Sequence, residues 1–119
     1  MKTFQEIISQ KPVFLNRFED EYSVLNEFLS FKGWNPKILF ASYGTEYYEG
    51  TAFVLFLHKG TLYEVNASHC SACGLEDQFS PEKTSLKAIE NRLVYGELGK
   101  DEYNGNLFAN EFKEFLGIE

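Results

Sequence analysis

The sequence predicts an α+β fold on three observations. Two β-rich runs are separated by a two-residue turn, three segments carry apolar residues at helical spacing, and Pro or Gly punctuates the boundaries. The runs are Thr51 to His58 and Thr61 to Asn66, joined by Lys59-Gly60, the signature of a tight hairpin. With His58 opposite Thr61, Phe56 faces Tyr63, Val54 faces Val65 and Phe53 faces Asn66. Thr51 to Leu57 is then apolar on both faces, as a central strand would be.

The remaining elements follow in order. Thr3-Phe4-Gln5-Glu6 has the spacing of a capping box and opens a short helix that Pro12 ends. Asn16-Arg17-Phe18-Glu19 offers a second cap, after which Phe18, Tyr22, Leu25 and Leu29 form one stripe, with Phe28 and Phe31 beside it. Gly33 is a natural C′ stop for that helix, 17–32. Trp34-Asn35-Pro36 turns into a strand over 37–43, and Gly44 to Gly50 reads as a loop. Ser80-Pro81-Glu82 reads as N-cap, N1 and N2 of a helix whose apolar stripe is Leu86, Ile89 and Leu93 and whose end is Gly96. A polar stretch then leads to a last helix carrying Phe108, Phe112, Phe115 and Leu116. The expected architecture is a three-stranded antiparallel meander (37–43, 51–58, 61–67) packed with helices 17–32, 81–95 and 107–116, in a single domain spanning 1–119.

Composition bounds the function. The 119 residues are 44% apolar and 17% aromatic, enough for a packed core with rings left for the surface. No apolar run approaches the roughly 18 residues of a membrane span. Met1 to Glu6 lacks the apolar region of a signal peptide, so a cytoplasmic location is expected and the two cysteines are expected as thiols. The net charge of −7 is uneven: residues 1–40 balance five Lys/Arg against five Asp/Glu, whereas 41–119 hold six against thirteen. Such a surface repels phosphate backbones and disfavours direct nucleic-acid binding.

The chemically richest segment is Asn66-Ala67-Ser68-His69-Cys70-Ser71-Ala72-Cys73-Gly74-Leu75-Glu76-Asp77-Gln78. His69, Cys70 and Cys73 are its candidate zinc ligands, one short of the four that a structural site needs. His58 does not complete the set, because the hairpin register places it roughly 25 Å from His69 at ~3.3 Å per residue. A thiol-dependent enzyme built on Cys70 or Cys73 with His69 as base lacks an orienting third group, and burial as a small apolar side chain is the simpler role. The flanking strands read as antiparallel, unlike the βαβ setting of redox Cys-x-x-Cys pairs. The loop as a whole reads as structural, with Leu75 anchoring it in the core.

Asn104-Gly105-Asn106 suggests a calcium loop, but with Gly105 at the sixth position the first ligand would be Lys100, which cannot coordinate calcium. Glu46-Tyr47-Tyr48-Glu49, with Glu76-Asp77, is an acidic and aromatic set suited to docking on a basic protein surface.

One block carries a resemblance. Tyr48-Glu49-Gly50-Thr51-Ala52-Phe53-Val54-Leu55-Phe56, then Leu62-Tyr63-Glu64-Val65-Asn66, Ser68-His69-Cys70-Ser71 and Gly74-Leu75-Glu76, with Gln78, resembles small uncharacterised proteins of bacteriophages and prophages. The likeness spans about 30 residues; Ala72 stands where those proteins place their second cysteine, and Cys73 follows one step later. The resemblance implies a phage accessory protein that acts by binding host machinery, defence systems included. The expectation is therefore a non-enzymatic protein-binding module using Glu46, Tyr47, Tyr48, Glu49, Glu76 and Asp77, with no cofactor. The alternatives are a zinc module on His69, Cys70 and Cys73, and a thiol enzyme.

Overall fold

The structure is a computed structural model that describes every residue except 29–32, 47–48, 70–73, 77, 101–104 and 119; of Thr45, Glu46, Glu49 and His69 it describes the backbone. Among the described residues the chain is a small α+β fold with four helices and a five-stranded mixed sheet. It divides into two compact units, Pro12–Lys83 and a second built from Met1–Lys11 with Thr84–Glu119.

The unit Pro12–Lys83 holds the sheet, in the order β1-β2-β3-β4-β5, and helix α2. Its strands are β1 (Val13–Asn16), β2 (Lys37–Glu46), β3 (Glu49–His58), β4 (Thr61–His69) and β5 (Glu82–Lys83), with α2 at Glu21–Phe28. The expected meander is the middle of this sheet, where β2, β3 and β4 pair antiparallel. The register matches the sequence argument: His58 faces Thr61, Phe56 faces Tyr63, Val54 faces Val65 and Phe53 faces Asn66. At the turn both Lys59 (φ 51°) and Gly60 (φ 79°) are left-handed, the geometry whose twist suits a tight hairpin.

Three expectations about this unit are corrected. The sheet has five strands, because Val13–Asn16 adds parallel to β2 and Glu82–Lys83 adds antiparallel to β4. A parallel neighbour needs a crossover, and α2 supplies it between β1 and β2. Gly44 to Gly50 is not simply a loop: β2 continues to Glu46 and β3 begins at Glu49, so the pairing runs to the end of the hairpin. Asn16 does not cap α2. It ends β1 with φ 62°, and its Nδ2 donates to the Oγ of buried Ser42 at 2.7 Å.

The cap of α2 is Asp20, whose Oδ1 accepts from the Ser23 N–H at 2.8 Å while the Ser23 Oγ accepts from the Asp20 N–H at 3.1 Å. The helix starts at Glu21, and its inner face differs from the expected stripe. Val24 and Phe28 are buried, while Tyr22 is 75% exposed. Gly33 has φ 88°, as a C′ stop requires, and residues 29–32 of the expected helix lie outside the described ones.

Phe18, Val24 and Phe28 pack with Ile38, Tyr43, Val54, Phe56 and Val65 on one sheet face. Strand alternation sends Phe53 and Leu55 to the opposite face, and both are buried as well. β3 is therefore apolar on both sides because it is the central strand. Leu39 is the extra residue of a bulge, since the pairing steps from Ile38–Phe56 to Phe40–Leu55.

The second unit comprises α1 (Phe4–Ile8), α3 (Leu86–Tyr95) and α4 (Ala109–Leu116). The capping box of α1 is formed: Thr3 Oγ1 accepts from the Glu6 N–H at 3.2 Å and Glu6 Oε1 accepts from the Thr3 N–H at 3.1 Å. Those bonds, the Thr3 N–H first, hold the Glu6 carboxyl below its ordinary pKa.

Helix α3 is corrected at its start. Ser80-Pro81 does not open it; Ser85 does, accepting the Ala88 N–H at 3.1 Å, and Glu82–Lys83 is strand. Proline's fixed φ suits extended backbone as well as a first helical turn, so Pro81 alone does not choose between them. Ile89 and Leu93 are buried and Gly96 ends the helix, as the spacing predicts.

In α4, Phe108 occupies the N-cap position without a side-chain bond. The Gly99 carbonyl does that work instead, accepting from the N–H groups of Leu107, Phe108 and Ala109 at 2.8, 2.9 and 3.0 Å. Asn106, the last residue of the discounted calcium pattern, accepts the Asn110 N–H at 2.9 Å. The two chain ends are joined by Lys2 N–H to the Leu116 carbonyl (2.8 Å) and Gln10 Nε2 to the Phe115 carbonyl (2.9 Å), and Lys2 Nζ donates to Gln10 Oε1.

Candidate functional site

The register sets two distinct ends of the sheet. At one end Glu46 pairs with Glu49 and Gly50 pairs with His69. At the other, Lys37 pairs with Leu57 and His58 with Thr61. The ten residues of β3 separate them by about 30 Å.

Of the positions singled out in the sequence, the first end holds Glu46, Glu49 and His69. Glu46 is the last residue of β2 and Glu49 the first of β3; Tyr47 and Tyr48, which link them in the chain, lie outside the described residues. His69 is the last residue of β4, while Cys70, Cys73 and Asp77 lie outside the described residues. Glu76 is described and exposed, with its carboxylate beside Gly74. His58 belongs to the opposite end, as the zinc argument required.

The return of the chain after β4 is fastened by two groups. Leu75 is fully buried in the core that α2 covers, the anchoring role its position suggested. Gln78 was not foreseen: its Nε2 donates to the carbonyls of Ser68 and Gly74, both at 2.7 Å, and its Oε1 accepts from the Ser68 N–H at 3.1 Å. One side-chain amide thus holds residues 68 and 74 at a fixed spacing.

The second end carries an aromatic group that the sequence reading passed over. Trp34 lies 4.8 Å from the His58 ring and 4.9 Å from Tyr63, with His58 6.2 Å from Tyr63, so the three close a triangle. Phe56 and Phe79 pack against it. The Asn35 N–H donates to His58 Nδ1 at 3.2 Å, which leaves the proton of the neutral imidazole on Nε2. Phe56 and Tyr63 were legible as a cross-strand pair; Trp34 joins them only through the fold.

Comparison with family models, with curated proteins and with solved structures gave no match. Among the described residues no helix is long and apolar enough to cross a membrane. The two sheet ends differ in residue type: Glu46 and Glu49 stand at one, Trp34, His58 and Lys59 at the other.

Proposed function

We propose that the protein is a small, non-enzymatic binding protein of the phage accessory type, which docks on a basic surface of another protein in the host cytoplasm. Glu46, Tyr47, Tyr48, Glu49, Glu76 and Asp77 make the contact. The observation that carries this reading is the pairing at the acidic sheet end. Glu46 opposite Glu49 and Gly50 opposite His69 bring the end of β2, the start of β3 and the end of β4 to the same place. Carboxylates clustered on a chain of net charge −7 attract a basic partner over a range set by the salt concentration. Tyrosine adds contact area with a hydroxyl at its tip, the usual composition of an interface centre.

The test compares wild type with a Glu46→Lys/Glu49→Lys/Glu76→Lys variant, each immobilised and exposed to host lysate. Wild type should retain a defined protein at low salt and release it at high salt. The variant should retain none of it while melting at an unchanged temperature. Retention indifferent to charge reversal, or undiminished at high salt, would overturn the reading.

A further inference from the structure

The Trp34, His58 and Tyr63 triangle is partly exposed, above a Phe56 that is fully buried. Each of the three rings carries a polar hydrogen: Trp34 Nε1–H, His58 Nε2–H and the Tyr63 hydroxyl. Among the described residues none of these donors has a partner, and none is buried. Two lysines neighbour them, one in the chain and one in the sheet. Lys59 follows His58 at the turn, and Lys83 pairs with Tyr63 across β4 and β5, which puts it on the same sheet face. Both lysines are exposed and neither forms an ion pair among the described residues. The neighbouring carboxylate, Glu82, pairs with Glu64 and so alternates to the opposite face.

The corner is thus rich in donors and positive charge on a chain that is otherwise acidic. Its rings are held by one another, so little rotamer freedom remains to be lost on binding. Tryptophan and tyrosine with a cation beside them are typical of the residues that dominate interface energies. An ionised carboxylate is an acceptor only and complements such a set. Two lysines on a chain of −7 do not suffice for a nucleic-acid backbone, whose affinity grows with the number of phosphates neutralised. We propose that this corner is a second docking surface, which takes an acidic peptide segment of a partner protein, its carboxylates on Lys59, Lys83 and the ring donors and an apolar side chain against Trp34. It is independent of the acidic end: opposite in charge and at the other end of the sheet.

Trp34 is the only tryptophan, so its fluorescence reports the corner directly. The full chain is titrated with a short blocked peptide of Asp, Glu and Phe, with its Lys-for-Glu counterpart, and with oligothymidylate; sedimentation of the protein alone monitors self-association. The acidic peptide alone should give a saturable change. A Lys59→Asn/Lys83→Glu variant should bind it about tenfold more weakly, the effect of losing two exposed ion pairs, with a melting temperature no lower than wild type. The Glu46→Lys/Glu49→Lys variant should bind it as wild type does, which separates this surface from the acidic end. Absence of a response, equal binding by the Lys59→Asn/Lys83→Glu variant, or a response to the basic peptide would overturn the proposal. So would saturation by oligothymidylate alone, or self-association that itself occupies Trp34.

Discussion

Gln78 grips Ser68 from both sides of one peptide edge: its Oε1 accepts from the Ser68 N–H at 3.1 Å and its Nε2 donates to the Ser68 carbonyl at 2.7 Å. The pattern is that of a neighbouring strand, supplied by a side chain. β5 pairs β4 at Tyr63 and Glu64, and Gln78 adds a separate strand-like contact four residues further along β4, at Ser68.

Gln78→Ala should lower stability by about 0.5–1.5 kcal/mol, the usual net worth of a hydrogen bond, because water can replace the two exposed bonds to Ser68 and only the Gly74 carbonyl is partly buried. Gln78→Glu should be at least as damaging at neutral pH. Its carboxylate would face the Ser68 and Gly74 carbonyls that now receive hydrogens. Urea unfolding of the two variants distinguishes this from a passive loop, which would tolerate Glu as well as Gln.

Gly99 is bound by its conformation and by its neighbours. Its φ is 76°, and an added Cβ would lie 2.7 Å from the Ala109 nitrogen. Gly105 shares the positive φ of 79°, but among the described residues nothing lies within 4 Å of an added Cβ. Gly105→Ala should therefore cost only the left-handed penalty of roughly 1–2 kcal/mol, and Gly99→Ala distinctly more, because it also displaces the carbonyl that caps α4. Equal melting temperatures for the two variants would show that the carbonyl cap is dispensable.

Lys59 adopts a φ of 51° beside Gly60. Asparagine tolerates that conformation better than lysine and is preferred in this turn, so Lys59→Asn should stabilise the protein by a few tenths to about 1 kcal/mol. Gly60→Ala should do the opposite. Thermal melts of both variants suffice, and a Lys59→Asn variant less stable than wild type would contradict the turn geometry.

The Glu6 carboxyl lies below its ordinary pKa because it accepts the Thr3 N–H. A carboxylate depressed in the folded state contributes stability above its ordinary pKa and loses that contribution as pH falls through the lowered value. Wild type should accordingly exceed Glu6→Gln in melting temperature at neutral pH. The difference should vanish on acidification; a constant gap across that range would contradict the assignment.

The elements legible in the sequence are those fixed by neighbours in the chain. The Thr51 to Asn66 hairpin was readable because Lys59-Gly60 sets the turn and the turn sets every pair beyond it. The α1 cap and the buried faces of α3 and α4 were readable for the same reason. The failures arose where two local readings compete. Asn16 and Asp20 are both good caps, and only the parallel pairing of Val13–Asn16 with β2 removes the first. Ser80 and Ser85 compete likewise, decided by the pairing of Glu82–Lys83. At the candidate sites, the meeting of Glu46 and Glu49 with the end of β4 follows from strand lengths that periodicity leaves open. The Trp34 corner draws on three separate stretches of chain, and no local pattern announces it.

The division of the chain into a continuous unit and a unit made from both of its extremities has a consequence for synthesis. Residues 12–83 contain all five strands of the described sheet and are complete when Lys83 leaves the ribosome, so the hairpins can form while translation continues. Helix α1 precedes that unit in the chain, yet Gln10 and Lys2 beside it must wait for the carbonyls of Phe115 and Leu116 to emerge. Until they do, the buried Ile7 of α1 has no finished core to enter. The nascent chain therefore carries Phe4–Ile8 without these partners until α4 has been made, and a ribosome stalled within α4 leaves that segment accessible to proteases and chaperones.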